Sequence, residues 1–323
     1  MQSVGLWWMW VGFLAFVLAL LAVDMFVLGG RTAHRVTVRQ ALGWSVAWLV
    51  SALLFDAGLW WYLDGSAGRT VANEIALEFL SGYLIEKSLS VDNIFIFLMI
   101  FNYFTVPAEL QRRVLLYGVL GAMVMRAVMI LLGVWLVAEF AWVLYLFGAF
   151  LLVTGVKMLL FATHEPDLAK NPILRWLRRH LRITADYRGD NFFVVQEGLR
   201  HVTPLFLVLV LIEATDLVFA VDSIPAIFAV TTDPFIVFTS NIFAIMGLRA
   251  LYFLLAEMAG RFRLLRYGLA VVLMFVGGKM LAAYWFHPPI QLSLGIIAGI
   301  LLVSMLLSLI LSRRAAEERK REG

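Results

Sequence analysis

The sequence of 323 residues contains no cysteine and only five histidines, which are spread along its length. Without cysteine the chain has no disulfide bonds, thiolate metal sites or cysteine nucleophiles, and soft metals lack their usual ligands. Charge is also scarce: 15% of the residues are charged and 63% are hydrophobic, whereas soluble domains carry about 25% charged residues. A surface with so little charge would not remain in water, so the composition predicts a membrane protein.

Long apolar runs occupy most of the chain. A bilayer core about 30 Å thick is crossed by a helix of about 20 apolar residues, and nine segments meet this requirement. The first has neither the basic flank nor the cleavage site of a signal peptide, so we expect it to be retained. The sequence predicts an all-α polytopic membrane protein with about nine transmembrane helices, at residues 7–28, 41–63, 75–101, 114–137, 140–161, 202–228, 235–256, 267–286 and 290–311.

The basic residues predict how the chain is oriented. Twenty of the 26 lysines and arginines lie in the odd-numbered connections between predicted helices and in the C-terminal tail, and only Arg69 lies in an even-numbered connection. Because basic connections stay on the cytoplasmic side, the N-terminus is expected outside and the C-terminus in the cytoplasm. Topology then explains the net charge of +4, so the lipid bilayer, and not nucleic acid, is the expected partner.

The longest cytoplasmic connection, residues 162–200, contains a candidate amphipathic helix. Apolar side chains recur at helical spacing, and arginines occupy the other side. We expect this helix to lie on the anionic inner leaflet, either as a simple linker or as a regulatory element. The apolar side chains are Ile173, Leu174, Leu177 and Leu181, and the arginines are Arg175, Arg178, Arg179 and Arg182.

Residues 83–94 match residues 213–224, and two shorter matches follow in the same order. Each match belongs to a unit of three predicted helices, spans three to five and spans six to eight, and the charge distribution gives the two units opposite orientations. Inverted repeats of this kind are common in secondary transporters, whose sites lie near the membrane midplane; chance similarity between apolar stretches is the alternative. The matched pairs are Glu86 with Asp216, Asp92 with Asp222, Asn93 with Ser223, Arg126 with Arg249, and Lys157 with Lys279.

These matches divide a single membrane domain into five parts. Two leading helices (1–72) precede the first repeat (73–161), and a cytoplasmic linker (162–200) connects it to the second repeat (201–286). A ninth helix with a basic cytoplasmic tail (287–323) follows.

Six acidic residues lie in or near the predicted spans, where an ionised side chain costs about 2.5 to 3.5 kcal/mol. A structural network of salt bridges is one interpretation of them, and a transport pathway is the other. Asp24 and Asp56 also lie inside spans, and both interpretations stay open for them. The six acids are Glu78, Glu86, Asp92, Glu213, Asp216 and Asp222, and the candidate basic partners are Lys87, Arg126, Lys157, Arg249 and Lys279.

Helix geometry predicts two interruptions. On a regular helix Glu86 and Asp92 would point about 240° apart, and residues 73–103 would form a helix of about 46 Å, longer than the bilayer core. A break at residues 88–93 would remove both problems, and Pro225 favours a kink or break in the sixth span. Unwound backbone at membrane depth occurs where it lines a cavity, so the two breaks are expected to face each other around one hydrated pocket.

Carboxylate, amide and hydroxyl oxygens around such a pocket would form a hard-oxygen site. These ligands suit Mg²⁺, Ca²⁺ or Mn²⁺ better than Cu(I) or Zn²⁺, so we expect a transported hard divalent cation and no permanently bound cofactor. A proton relay without metal is the alternative use of the same acids. The predicted ligands are Glu86, Asp92, Asn93, Glu213, Asp216, Asp222, Ser223 and Asn241, and the predicted counter-charges are Arg126, Arg249, Lys157 and Lys279.

Three stretches resemble the TerC/Alx family of integral membrane proteins, most closely its Alx-type members. They are EKSLSVDNIFIF (86–97), EATDLVFAVDSIPAIFAVT (213–231) and TSNIFAIMGLRALYFLL (239–255). The resemblance covers nearly the whole chain and implies a metal-ion transporter of the bacterial inner membrane. Only this resemblance implies manganese as the ion and export as the direction; the family takes its name from tellurite resistance.

The sequence thus predicts a secondary transporter that exports Mn²⁺ in exchange for protons. No Walker motif is present, so ATP-driven pumping is not expected. Three alternatives stay open: a Ca²⁺/H⁺ exchanger, a tellurite-resistance factor without transport, and a stress-response scaffold. For the scaffold, Gly295 and Gly299 could form the contact of a homo-oligomer, although packing within one chain is another use of such a pair. No HExxH or comparable motif is present for a membrane metalloprotease, so an enzyme is not expected.

Overall fold

The computed structural model describes residues 3–28, 38–140, 142–160, 168–256, 264–283, 285 and 288–322. Most of these residues are helical, and one short antiparallel hairpin interrupts the series of helices. The elements are α1 (Trp7–Leu28), α2 (Val38–Ser66), α3 (Arg69–Tyr103), α4 (Ala108–Glu139), α5 (Val143–Leu160), a 3₁₀ turn (Leu168–Lys170), α6 (Pro172–His180), β1 (Phe193–Gln196), β2 (Leu199–Val202), α7 (Pro204–Phe228), α8 (Pro234–Met246), α9 (Leu248–Ala256), α10 (Leu265–Leu281) and α11 (Ile290–Glu322).

Six helical segments of the described residues are long and apolar enough to cross a membrane: α2, α4, α5, α7, α8 with α9, and α11. Their outer faces expose large apolar side chains, such as Leu54, Leu131 and Leu302, which suits contact with lipid. The other three predicted spans are helical but fall short: Trp7–Val23 is a shorter apolar helix, α10 has 17 residues, and α3 carries six charged residues. The predicted class of helical membrane protein is confirmed, with six such helices where nine were expected.

Helix α3 is continuous, so the predicted break at residues 88–93 is wrong. Residues 83–103 contain neither glycine nor proline, and the Ser88 hydroxyl donates to the Leu84 carbonyl at 2.6 Å within the helix. The length of α3 is accommodated because α2, α7, α8, α9, α10 and α11 pack around it, and its three central charged groups, Glu86, Lys87 and Asp92, are not exposed. Because α3 is continuous, Glu86 and Asp92 point towards different neighbouring helices.

The other expected break is also absent, because α7 continues from Pro204 to Phe228 through Pro225. Pro225 lies in the last turn, so its missing N–H removes one hydrogen bond close to where the helix ends. An interruption lies instead in the seventh predicted span, at Gly247 between α8 and α9. A Cβ atom at Gly247 would collide with the Lys87 ammonium and lie 3.4 Å from Trp48 Cβ, so glycine leaves room for both side chains.

Helices α5 and α10 pack backbone against backbone. A Cβ atom at Gly155 would lie 2.8 Å from the Ala270 carbonyl oxygen, and one at Gly277 would lie 2.7 Å from the Gly148 carbonyl oxygen. Side chains at these glycines would force the helices apart. The close contact ties the third helix of each matched unit to its counterpart.

The linker between α5 and α7 contains the predicted amphipathic helix, α6, which Asn171 caps by accepting hydrogen bonds from two backbone N–H groups. Leu174 and Leu177 are buried and belong to the main apolar core, and α6 packs against α7. These two leucines of the predicted apolar face therefore pack against the protein, whereas Ile173 and Trp176 are the exposed apolar side chains of α6. Contact of α6 with the inner leaflet stays a prediction. The hairpin β1–β2, which pairs Phe193–Gln196 with Leu199–Val202, was not predicted.

Candidate functional site

Arg126 of α4 lies at the centre of a buried polar cluster between α3, α4, α7 and α8. Its guanidinium forms an ion pair with Glu86 of α3 and a two-point contact with Asp216 of α7, with Nε 3.2 Å from Oδ2 and Nη2 3.1 Å from Oδ1. Arg126 is only 1% exposed, and Glu86 is fully buried. The planar fork of a guanidinium matches carboxylate geometry, so one side chain neutralises charge on two other helices.

Amide and hydroxyl groups complete this central cluster. Asn241 Nδ2 donates to Glu86 Oε2 at 3.1 Å, and Asn93 Nδ2 donates to Asp216 Oδ1 at 3.3 Å. The guanidinium also donates to Ser223 Oγ at 3.2 Å and to Asn241 Oδ1 at 3.5 Å. The Oδ1 atom of Asn93 is buried and has no hydrogen-bond partner among the residues that the structure describes. A buried acceptor of this kind is costly, and it leaves one carbonyl oxygen available to a cation or a water molecule.

Glycines bring the surrounding helices close enough for these contacts. A Cβ atom at Gly82 of α3 would lie 2.8 Å from Ser240 Oγ of α8, and this close approach places the next residue, Asn241, beside Glu86. A Cβ atom at Gly118 of α4 would lie 3.3 Å from a side-chain methyl of Ile212 in α7. Small residues at helix contacts are the usual means of close packing in membranes.

Asp92 and Asp222, both predicted as ligands, do not join the central cluster. Asp92 accepts a hydrogen bond from Arg266 Nε of α10 at 3.2 Å, and Asp222 accepts one from Thr154 Oγ1 of α5 at 3.4 Å. Each lies six residues from the cluster acid on its own continuous helix, which turns it about 240° away. The structure thus corrects the placement of both, together with that of Lys157, which lies near Asp222 and is exposed.

Three further predicted residues lie outside the ion pairs of the cluster, and Glu213 is the nearest of them, one turn from Asp216 on α7. Glu213 packs against Gly121 of α4, and its Oε2 atom is buried without a hydrogen-bond partner in the described part of the chain. Arg249 is buried on α9 and forms no ion pair with Glu86 or Asp216. Lys279, on α10, makes no ion pair with any residue in the described part of the chain. The single pocket shared by all the predicted carboxylates is therefore not formed.

The chemistry of the central cluster fits a hard cation only in part. Within the described ranges, no three Asp, Glu or His side chains come together as a metal site. Two carboxylates and the oxygens of Asn93, Ser223 and Asn241 are present, but the Arg126 guanidinium lies among them. A small, mostly apolar cavity reaches the cluster between α3, α4, α7 and α9, and Asp216 is its only charged lining residue. A cation would therefore replace the guanidinium before it could contact both carboxylates.

Sequence reasoning missed several polar contacts near the cluster. Lys87 Nζ donates to the Ala244 carbonyl oxygen at 3.2 Å, next to the interruption at Gly247. Thr231 Oγ1 donates to Glu78 Oε2 at 2.6 Å, in the N-terminal third of α3. Arg266 precedes the predicted eighth span, 267–286, by one residue. Gly247, in the segment FAIMGLRA (243–250), indicates an interruption of the helix. Nothing in the sequence indicates that Asp92 is the partner of Arg266.

The comparisons with known proteins agree with the helical membrane architecture. Residues 71–316 match the family described as the integral membrane protein TerC family. The "Putative membrane-bound redox modulator Alx" of Escherichia coli (strain K12) is 55% identical over 319 residues, which cover 99% of each chain. Its namesake in Photorhabdus laumondii is 52% identical over 320 residues, 99% of this chain and 100% of that one.

More distant proteins extend the comparison. An uncharacterized membrane protein of Myxococcus xanthus is 49% identical over 313 residues, which cover 97% of this chain and 95% of that one. No solved structure matches the chain significantly. Because the family match and these relatives each cover most of the sequence, the chain belongs to the TerC family of integral membrane proteins.

Proposed function

We propose that this protein is a secondary transporter of the bacterial inner membrane that exports a hard divalent cation, with Mn²⁺ as the first candidate. The observation that carries the proposal is the buried cluster in which Glu86, Asp216 and three neutral side chains surround one guanidinium. Carboxylate and amide oxygens are ligands that Mn²⁺ and Ca²⁺ accept. No enzymatic activity and no resident cofactor are proposed.

In this proposal α3–α5 and α7–α10 form inverted repeats, with nine crossings and the N-terminus outside. Reciprocal packing supports it: α3 packs on α8, and α4 packs on α7. The glycine contacts of α5 and α10 are reciprocal as well. Each residue of α5 corresponds to the residue 122 positions later in α10, so Gly155 corresponds to Gly277 and Gly148 to Ala270. The contact of Gly155 with Ala270 therefore has a counterpart, the contact of Gly277 with Gly148.

Arg126 is proposed to act as a tethered cation. Two carboxylates and one guanidinium leave a formal charge of −1 in the cluster when both acids are ionised, and burial makes any uncompensated charge costly. When Arg126 occupies the cluster, the empty carrier can change conformation without an unpaired carboxylate. A divalent cation that enters displaces Arg126 and contacts Glu86 and Asp216 directly.

Export is proposed to be coupled to proton entry. Moving one charge against the membrane potential costs about 2.3 kcal/mol per 100 mV, so a divalent ion costs roughly twice that amount. Protons that enter and bind the same carboxylates would offset this cost. A Ca²⁺/H⁺ exchanger would use the same cluster, and transport assays with each ion distinguish the two.

A scaffold without transport is the second candidate function. It is favoured by the absence, in the described residues, of any group of three acids, and by the separate partners of Asp92 and Asp222. The name of the E. coli relative refers to redox modulation. Because this chain has no cysteine, a redox role here would not use thiol chemistry. A tellurite-resistance factor without transport would fall in the same class.

Purified protein in liposomes tests the proposal. With Mn²⁺ inside the vesicles and a pH gradient across them, we expect Glu86→Gln and Asp216→Asn to reduce Mn²⁺ efflux at least tenfold. Asp64→Asn is the matched control, since Asp64 pairs with exposed Arg69 at 2.8 Å far from the cluster. Normal efflux by Glu86→Gln would remove the proposed site. No ion movement by the unaltered protein at any pH gradient would favour the scaffold.

A further inference from the structure

The ammonium group of Lys87 lies against the end of a helix from the other half of the molecule. Lys87 is on α3, and its Nζ atom donates a hydrogen bond to the Ala244 carbonyl oxygen of α8 at 3.2 Å. Helix α8 ends two residues later, at Met246. In an uninterrupted helix the Ala244 carbonyl would accept a hydrogen bond from the N–H group of Leu248. Lys87 therefore supplies a donor at the point where the last carbonyl groups of a helix lack helical partners.

Gly247 provides the space that this ammonium group occupies. The backbone of Gly247 has φ −78° and ψ −3°, a conformation that most residues adopt in turns, so backbone freedom does not require glycine here. Space does require it, because a Cβ atom at Gly247 would collide with the Lys87 ammonium. The lysine and the glycine therefore depend on each other.

The aligned positions in the other half of the molecule have neither feature. The repeat matches Lys87 with Leu217 of α7, and it matches Gly247 with Val124 of α4. Helix α4 is continuous through Val124, and α4 packs on α7 as α8 packs on α3. The lysine thus faces an interrupted helix, whereas the aligned leucine belongs with a continuous one. This pattern is expected if Lys87 stabilises the interruption.

Lys87 is also one of two anchors that hold α8 on α3 around a residue of the central cluster. The other anchor is the close approach at Gly82, where a Cβ atom would lie 2.8 Å from Ser240 Oγ. Asn241 lies on α8 between the two anchors. It donates to Glu86, which precedes Lys87 on α3, at 3.1 Å. A shift of the α8 end would therefore move this amide away from the buried carboxylate.

We propose that Lys87 is a positioning residue for the cation site. Its hydrogen bond holds the end of α8 against α3, so the Asn241 amide stays beside Glu86 as a candidate ligand. Lys87 acts through Asn241 and does not itself contact the cation. This inference rests on the transport function proposed above, and it assigns Lys87 to the affinity for the cation and not to the maximal rate of transport.

Mn²⁺ efflux from liposomes, measured over a range of internal Mn²⁺ concentrations at one pH gradient, tests the role of Lys87. Lys87→Met keeps the length of the side chain but removes the donor. We expect it to raise the half-saturating Mn²⁺ concentration about three- to ten-fold, the ratio that corresponds to one hydrogen bond, with the maximal rate per folded molecule unchanged. Gly247→Ala displaces the ammonium without removing it and should raise the same concentration. Leu217→Met, at the aligned position, is the control and should change neither quantity.

Melting temperatures in detergent without Mn²⁺ test the contact between Lys87 and Gly247 separately. Gly247→Ala should lower the melting temperature of the unaltered protein, because the new methyl group collides with the ammonium. In the Lys87→Ala background the same substitution should lower it by about half as much or less, since the two residues are in contact. Gly278→Ala is the matched control, because a Cβ atom there meets open space; its effect should be the same in both backgrounds.

The outcomes separate failure of this inference from failure of the proposed function. The positioning role would be overturned if Lys87→Met and Gly247→Ala left the half-saturating concentration unchanged, whether or not the maximal rate fell. Equal losses from Gly247→Ala in the two backgrounds would overturn the contact on which that role depends. Normal efflux by Glu86→Gln and Asp216→Asn would instead remove the proposed function and the positioning role together, whereas the melting temperatures would still decide whether the lysine and the glycine are coupled.

Discussion

In the first half of the molecule, α3–α5, Arg126 neutralises two carboxylates, whereas the aligned Arg249 in the second half, α7–α10, pairs with neither of them. The helices that carry these arginines differ just before them. Val124 lies in the continuous helix α4, and Gly247 interrupts the helical path between α8 and α9. Since each residue of a helix turns the next by 100°, an interruption two residues upstream redirects the arginine.

Matched sequence positions in the two halves therefore do not ensure matched side-chain contacts. The acids also differ: Asp92 forms an ion pair with Arg266, whereas Asp222 accepts a hydrogen bond from Thr154 and has Lys157 nearby without a close ion pair. The α5–α10 contact, by contrast, has nearly equal distances on both sides. The two halves therefore match at the backbone contact between α5 and α10, and they differ in the partners of their long charged side chains.

Removal of Arg126 should produce the largest loss of stability among the variants that test this comparison. In Arg126→Met, Glu86 and Asp216 lose their shared cation, and we expect the free energy of unfolding to fall by about 3 to 5 kcal/mol, as for a broken buried ion pair. The triple variant with Glu86→Gln and Asp216→Asn should recover most of this loss. Thermal unfolding in detergent measures both; unchanged stability of Arg126→Met would mean that Arg249 or solvent can take its place.

Substitution of the helix-contact glycines should have an intermediate effect. Gly277→Ala places a methyl group 2.7 Å from the Gly148 carbonyl oxygen, and overpacking of this kind costs about 1 to 3 kcal/mol. Gly155→Ala should cost a similar amount. Gly278→Ala is the matched control for Gly277→Ala, because a Cβ atom at Gly278 would have no atom within 4 Å beyond the adjacent helix backbone. It should leave stability unchanged or raise it by up to about 1 kcal/mol. Unequal losses for Gly155→Ala and Gly277→Ala in the same melting assay would contradict the reciprocal contact.

The flanking acids should show the smallest effect on stability. Asp92→Asn removes a partly exposed ion pair, which contributes up to about 1 kcal/mol. Asp222→Asn should cost less, because an amide oxygen can still accept the hydrogen bond from Thr154. The two melting temperatures, measured under one condition, check the difference. If Asp222→Asn were the more destabilising of the two, the unlike partners of these acids would not explain their roles.

Much of the site could be predicted because buried charge is rare in membranes. Five predicted ligands, Glu86, Asn93, Asp216, Ser223 and Asn241, do meet around Arg126. The predicted breaks in α3 and α7 were wrong, since neither length nor a proline near the end forces a helix to unwind when neighbours surround it. The partners of Asp92 and Asp222 follow from that continuity, so they could not be predicted while a break was assumed.

The membrane class, the family and the residue types of the polar cluster could be predicted from the amino acids, because apolar length and costly buried charge are properties of the chain alone. The folded helices were needed to show that Arg126 and not Arg249 neutralises Glu86 and Asp216, and that Arg266 pairs with Asp92. The physical reason is that a side chain's direction depends on whether its helix is continuous, and its partner depends on which neighbouring helix lies within a few ångströms.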